Sequence, residues 1–383
     1  MRYRLLVLAA VLPFAASAQS PFPDGAAPEQ IAGGFQFTEG PVWADGSLLF
    51  SDIPASTVYR WTEGSDVEVF LRPSQKSNGL TLDAEGRLLL AQHEAQRLAR
   101  LGSDGAQDVL ADTYDGQTFN SPNDLAVHPD GSIYFTDPTW GLEGRPSSLG
   151  FTGLYRLATD GTVTLLADDL NQPNGVAFSP DLATLYVTTS NERTVVAYDL
   201  ADGAVTNGRV FATLTGGTPR DAADGMAVDD QGRLYVAGPR GVWAFAPDGT
   251  TLDVVDVPGQ TTNVTFGPDR TLYITSGPGV YRLALADAVS VADGADAEGL
   301  RVTSVYPNPA GETATLVLSL DGPRSLTLTV TDVLGRTVRT ADLGARAAGT
   351  HSVEVRIGGL APGRYLARVS DARGGASRAL IVR

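Results

Sequence analysis

One phrase recurs six times between residues 39 and 276, and that recurrence constrains the fold more than any other feature. It reads EGPVWADGSLLFSD from Glu39, NGLTLDAEGRLLLAQ from Asn78 and NDLAVHPDGSIYFTD from Asn123. It returns as NGVAFSPDLATLYVTT from Asn174, DGMAVDDQGRLYVAG from Asp224 and TNVTFGPDRTLYITS from Thr262. Each copy is a short apolar strand, a turn on Asp-Gly or Pro-Asp, and a second apolar strand. A third strand often follows, as in Thr57-Val58-Tyr59-Arg60 or Gly279-Val280-Tyr281-Arg282. The copies start 39, 45, 51, 50 and 38 residues apart. A period of about 40–50 residues with several strands per unit is the signature of a β-propeller. The expected fold class is therefore all-β, with one blade per copy and six blades in all. No window carries a sustained i, i+3, i+4, i+7 apolar stripe, so helix is scarce. A β-sandwich would alternate in the same way without repeating one phrase six times.

The two ends of the chain read differently. Arg2 and Arg4 precede the apolar run Leu5 to Ala16, which leads into Ala16-Ser17-Ala18. These are the parts of a secretory signal, expected to span residues 1–18 and to be cleaved after Ala18. The run is too short to cross a bilayer, which needs about 20 apolar residues, and no later stretch comes closer. Residues 301–383 hold 11 arginines against 6 acidic residues, a net of +5. Residues 19–300 hold 15 basic against 38 acidic residues, a net of −23. Such asymmetry implies two domains with different tasks. The seam is Asp287 to Leu300, small and acidic, so the expected organisation is a propeller over 19–286, a linker over 287–300 and a tail over 301–383. In the tail, strands of 5–8 residues alternate between Gly/Pro turns, which predicts a small immunoglobulin-like β-sandwich. The acidic balance excludes a nucleic-acid partner, which needs a basic footprint. The absence of cysteine excludes disulfides, thiolate nucleophiles and Cys-ligated zinc.

Aligning the copies exposes a chemical pattern. Their first positions are Glu39, Asn78, Asn123, Asn174, Asp224 and Thr262. Equivalent positions at one end of the innermost strands of a propeller surround its central channel. Five of the six carry a carboxylate or amide oxygen, an all-oxygen shell suited to a hard cation such as Ca²⁺, Mg²⁺ or Mn²⁺. Asn-Gly and Asp-Gly pairs also favour turns through side-chain-to-backbone hydrogen bonds. Glu39 has no such turn preference, and the convergence of Glu39, Asn123, Asn174 and Asp224 favours a metal site.

With FTEGPVW, SPNDLAV, YFTDPTWGL, QPNGVAF and DGMAVD in this order, residues 30–285 resemble the senescence marker protein/gluconolactonase (regucalcin-like) family. These six-bladed propellers are in turn similar to diisopropyl fluorophosphatase and to the staphylococcal drug-responsive lactonase. The resemblance implies hydrolysis of a lactone ring at one central divalent cation, calcium first, with Mg²⁺, Mn²⁺ or Zn²⁺ as alternatives. It implies that Glu39, Asn174 and Asp224 are metal ligands and that Asn123 lies on the metal or touches substrate. It implies an acidic residue beside the metal at Asp137. In the tail, Tyr306-Pro307-Asn308-Pro309, Asp332-Leu334-Gly335-Arg336 and Leu360-Pro362-Gly363-Tyr365 resemble the C-terminal sorting domain of type IX secretion substrates. That resemblance implies type IX machinery as a partner, and a secreted or surface-held product that passes through the periplasm.

The chemistry of a lactonase suits these residues. A cation would polarise the ester carbonyl, and a nearby carboxylate would take a proton from water; Asp137 and Asp224 are the candidates. His93, just after the second apolar strand of its copy, and Trp140, after the third copy's, are candidate substrate contacts, each with a structural role as the alternative. No G-x-S-x-G elbow occurs, which disfavours a serine hydrolase of that type. Two other functions fit the same motifs: a non-catalytic propeller stabilised by metal, and a phosphotriesterase on the same metal shell.

Overall fold

The computed structural model describes residues 20–218, 221–285, 299–306, 310–332, 337–360, 363–371 and 373–382. The expected signal lies outside them, as do most of the linker and the tail motif residues Pro307, Asn308, Pro309, Leu334, Gly335, Arg336 and Pro362. The chain divides into two units, Met1–Ala286 and Asp287–Arg383.

The first unit contains six four-stranded antiparallel sheets. Their innermost strands are Thr38–Ala44, Ser77–Leu82, Leu125–Val127, Pro173–Phe178, Met226–Val228 and Thr261–Phe266. Each of these lies against the innermost strand of the sheet on either side, and the sixth lies against the first, so the ring closes. This is the six-bladed architecture that the repeat predicts. Numbering the blades 1 to 6 in this order, blades 1 to 5 run outward in chain order. Blade 6 contributes only three strands of its own, and Glu29–Gly33 pairs with Gly279–Ala284 to supply its outer strand. Among the described residues the only helical turns are the 3₁₀ segments Trp140–Leu142 and Pro268–Arg270.

Blades cohere through side chains that alternate along the pleat. In Leu88–Gln92, Leu88 and Leu90 pack with Leu49 and Val58 of blade 1, whereas Leu89 and Ala91 pack with Phe119, Phe135 and Tyr155 of blade 3. An apolar cluster of this kind fills each of the six blade interfaces. Burying one such leucine contributes about 2 kcal/mol.

Hydroxyl groups add a second set of ties near the axis. Thr136 Oγ1 of blade 3 donates to the carbonyl of Asn174 on blade 4 at 2.6 Å. Thr188 Oγ1 of blade 4 donates to the carbonyl of Asp224 on blade 5 at 2.8 Å. Thr262 Oγ1 of blade 6 donates to the carbonyl of Thr38 on blade 1 at 2.8 Å.

In the second unit, Leu300–Tyr306, Thr313–Leu320 and Gly349–Arg356 form one sheet. Thr337–Arg346, Arg324–Asp332, Gly363–Asp371 and Gly374–Val382 form the other. Leu316, Leu318, Leu328, Val330, Val369 and Leu380 share one buried core between them.

The inter-blade hydroxyls make a direct prediction. Thr188 Oγ1 also accepts the Gly175 N–H at 2.8 Å, so Thr188→Val leaves two buried main-chain groups unpaired. At about 1–3 kcal/mol per group, the first unit should lose several kcal/mol, and Thr188→Ser should recover most of it. All four tryptophans lie in this unit, so unfolding followed by their fluorescence reports it. An unchanged midpoint for Thr188→Val would show that these bonds do not hold the blades.

Candidate functional site

Glu39, Asn78, Asn123, Asn174, Asp224 and Thr262 all stand at or just before the start of an innermost strand, and all are buried. The backbones of four of them are held by the neighbouring blade. Besides the Asn174 and Asp224 carbonyls, the Asn123 carbonyl accepts Gly79 N–H at 2.7 Å and the Thr262 carbonyl accepts Gly225 N–H at 2.8 Å. The amide of Asn174 donates from Nδ2 to Ser190 Oγ at 3.1 Å. That contact leaves its Oδ1 available as a ligand.

Electrostatics show what this arrangement wants. Burial pushes the Glu39 carboxyl well above the usual carboxylate range, and repulsion from Asp224 adds to it. Burial also raises Asp224, with repulsion from Asp124 adding to it and the Asn174 side chain opposing it. Glu39 Oε2 accepts the Gly40 N–H at 3.0 Å, but no ion pair among the described residues reaches Glu39, Asp124 or Asp224. Asp224 Oδ1 and Asn78 Oδ1 are buried with no hydrogen-bond partner. Buried acceptors without partners beside uncompensated carboxylates are groups that a divalent cation would satisfy. No three His, Cys, Asp or Glu side chains converge on one point among the described residues. Around Glu39 and Asp224 the polar set is instead mixed, carboxylates with the amides of Asn263 and Asn174, and its oxygen donors would suit a hard divalent cation.

The second position of each copy was not recognised in the sequence as part of the site. It reads Gly40, Gly79, Asp124, Gly175, Gly225 and Asn263. A Cβ on Gly225 would overlap the Asn263 amide, and one on Gly40 would overlap the Asn78 carbonyl. Four glycines thus leave room for two polar side chains near the axis, Asp124 from blade 3 and Asn263 from blade 6. Burial raises Asp124 to about 7, opposed by the N–H groups of Leu125 and Val176 and by the Asn263 side chain. Asp124 and Asn263 also line an axial cavity of about 290 Å³, whose other walls include Val42, Leu80, Val176 and Phe178. The available signal was the break in the glycine pattern at copies three and six, which reads locally as ordinary turn chemistry.

The remaining candidates take distinct places. Asp137 is fully buried, and its two oxygens accept Asn120 N–H at 2.8 Å and Ser121 N–H at 2.7 Å. Asp52, its counterpart in blade 1, grips Gln36 N–H and Phe37 N–H in the same way, at 3.0 and 3.1 Å. Asp137 therefore braces the approach to Asn123, and each of its oxygens keeps a second acceptor site. Burial raises its pKa to about 7, but neither oxygen is idle. His93 is buried, its Nε2 lies 3.5 Å from Asn78 Nδ2, and burial lowers its pKa to about 4. Trp140 is 51% exposed on its 3₁₀ turn. Larger clefts of about 590 and 470 Å³ open at the far turns of blades 1 to 3. They hold Arg60, Arg87 and Arg100 but none of the six first-position residues.

His93 generates a pH prediction. It is neutral when folded, whereas the unfolded chain takes up a proton below about pH 6.5. Stability is thus lost as pH falls from 6.5 towards 4, by at most about 3 kcal/mol from this residue. His93→Gln should flatten that part of the stability profile measured by urea unfolding. Equal slopes for both proteins would show that His93 is charged in the fold.

Residues 37–278 match the SMP-30/Gluconolactonase/LRE-like region, and residues 304–383 match the secretion system C-terminal sorting domain. The chain is 34% identical over 289 residues to a gluconolactonase of Zymomonas mobilis, covering 67% of this chain and 80% of that protein. It is 34% identical over 252 residues to a pentonolactonase of Haloferax volcanii, covering 63% of this chain and 81% of that protein. The solved structure of a gluconolactonase from Xanthomonas campestris superposes with a TM-score of 0.64 at 35% identity, covering 67% of this chain and 89% of that one. With its ring of six blades and its match over residues 37–278, the chain belongs to the SMP-30/gluconolactonase/LRE-like family.

Proposed function

We propose that this protein is an exported lactonase that opens sugar lactones with the help of one divalent cation, calcium in the first instance. The observation that carries the proposal is Asp224, buried near Glu39 with one oxygen lacking any protein partner. Family membership and the lactonases among its relatives supply the substrate class.

Glu39 and Asp224 would supply charge to the cation, and the amide oxygens of Asn174 and Asn123 would complete the donor set, with Asn123 also within the substrate's reach. When bound, the cation polarises the lactone carbonyl and offsets the developing oxyanion charge, a contribution of several kcal/mol. Asp224 takes a proton from the attacking water as the new C–O bond forms. It returns that proton to the ring oxygen as the ester C–O bond breaks, so a hydroxy acid leaves and the enzyme is unchanged. Asp137, whose two oxygens each hold one main-chain N–H and keep a second acceptor site, is the alternative proton acceptor. His93, neutral and buried, can hydrogen-bond a substrate hydroxyl, and Trp140 can offer an apolar face.

The export part of the reading rests on the two ends. Residues 1–18 serve as a signal cleaved after Ala18, residues 287–300 as a linker, and residues 301–383 as an address read by type IX machinery. The product is secreted or held at the cell surface. The strand order of the second unit, first-second-fifth and fourth-third-sixth-seventh, supports an immunoglobulin-like sandwich.

Purified full-length protein should hydrolyse D-glucono-1,5-lactone in a pH-stat, lose activity by about 10²-fold or more after complete chelation, and regain it with Ca²⁺. Activity indifferent to complete metal removal would overturn the mechanism. Glu39→Gln and Asp224→Asn should each weaken Ca²⁺ binding in calorimetry, and full affinity in either variant removes that residue from the ligand set. Hydrolysis of a phosphotriester but no lactone would move the reading to phosphotriesterase, and calcium binding with neither activity would make the metal structural.

A further inference from the structure

The segment from Pro138 to Arg145 leaves blade 3 and carries Trp140, the most exposed tryptophan of the described residues, on a turn that is anchored on three sides. Gly141 N–H donates to Ser121 Oγ at 3.0 Å, within blade 3. Thr139 N–H donates to Gln172 Oε1 at 3.0 Å and Gln172 Nε2 donates to Thr139 Oγ1 at 2.8 Å, which ties the turn to blade 4. The third anchor is the guanidinium of Arg145. Its Nε donates to the Leu142 carbonyl at 3.0 Å. Nη2 donates to the carbonyls of Gly141 and His93 at 2.8 and 3.0 Å. Nη1 donates to the Glu94 carbonyl and to Gln96 Oε1 at 3.1 and 2.9 Å. One side chain therefore spans from the turn that carries Trp140 to the blade 2 loop that carries His93.

The two loops also touch directly, because a Cβ on Gly141 would overlap the His93 ring. A continuous chain of contacts runs from Asn78 through His93 and Gly141 to Trp140. The Lys76–Glu143 pair, 2.8 Å apart, bridges the same loops, but an exposed ion pair of that kind contributes little. The fork of Arg145, with its fixed donor geometry, is the tie that sets the distance.

We infer that Arg145 is a positioning residue for substrate: it clamps the turn of Trp140 to the loop of His93, and so fixes the width of the pocket wall and the lactone ring size it accepts. The inference rests on the lactonase reading above. A rigidly held indole offers its face to the C–H side of a sugar ring at little entropic cost, and only if its turn keeps its place. The guanidinium itself touches main-chain carbonyls and Gln96, so its effect on substrate passes through His93 and Trp140.

The test uses full-length protein with Ca²⁺, comparing wild type, Arg145→Lys, Arg145→Ala and Trp140→Ala. Steady-state rates are measured on D-glucono-1,5-lactone and on a five-membered aldono-1,4-lactone, with Ca²⁺ affinity measured by calorimetry and tryptophan quenching by acrylamide. A misplaced binding group costs roughly 10- to 100-fold, so KM for the six-membered ring should rise by that order in Arg145→Ala. The preference between ring sizes should narrow, while kcat and Ca²⁺ affinity stay within a few-fold of wild type. Trp140→Ala should show the same KM change, and Arg145→Lys, which keeps the charge without the fork, should lie closer to Ala than to wild type. Acrylamide quenching should change in Arg145→Ala but not in an Arg145→Ala/Trp140→Ala background relative to Trp140→Ala alone. An unchanged KM in Arg145→Ala, or a loss of kcat together with Ca²⁺ affinity, overturns the inference while leaving lactonase activity intact in wild type. Absence of lactonase activity in wild type with calcium overturns the earlier reading instead, and with it the substrate assigned here.

Discussion

Blades 2 to 5 each grip the main chain of the next blade at its first-position residue, and blade 6 grips blade 1 one residue earlier, at Thr38. Thr136 holds the Asn174 carbonyl, Thr188 holds the Asp224 carbonyl, and the amides of Gly79 and Gly225 hold the Asn123 and Thr262 carbonyls. A ligand on a strand end is no better placed than its backbone, and these bonds are buried, so they are strong and costly to leave unmade. The ring of axial polar residues is thereby a by-product of the ring of blades. Closing the circle through Glu29–Gly33 matters for the same reason. Without that strand blade 6 has an open edge, and its neighbour, which carries Glu39, loses a fixed partner.

The same geometry concentrates charge. Burial raises Glu39, Asp124 and Asp224, repulsion from Asp224 and Asp124 adds to Glu39 and repulsion from Asp124 adds to Asp224, with only amides and main-chain N–H groups opposing them. Taking an unpaired carboxylate out of water costs several kcal/mol. Such carboxylates are tolerable when protonated or when a cation offsets them. The fold thus carries a destabilising feature at its centre, and on the reading proposed above stability and metal occupancy would be linked by mass action. The remaining acidity of the propeller segment is a solubilising surface and does not bear on this linkage.

Much of this was legible in the sequence because the unit repeats. Six copies fix the blade count, and Glu39, Asn123, Asn174 and Asp224 stand out because the same slot recurs. What failed to show was whatever depends on distant pairing or on only two copies. The closing strand is five mostly exposed residues whose partner lies some 250 positions later, so nothing local marks it. Asp124 and Asn263 replace glycines in two copies, which matches ordinary turn preferences and hides their shared axial position. Asp137 reads as an acid at the site, and the comparison with Asp52 adds a bracing role that the sequence does not show. A buried carboxylate one strand away from a ligand can serve equally well to brace the loop before it.

Axis and rim are built on opposite terms. At the axis, a side chain on Gly40 or Gly225 would collide with backbone or with a neighbouring amide, so this layer admits almost no variation without loss of the fold. At the rim, the contacts among His93, Gly141 and Trp140 are held by the guanidinium of Arg145 and by loop hydrogen bonds that end outside the strands. Altering those contacts disturbs no apolar blade interface. On the lactonase reading proposed above, a change of substrate would therefore be made where the loops meet, leaving the axial residues as they are. The chemistry is fixed by packing, and selectivity is left to a few polar contacts between loops of different blades.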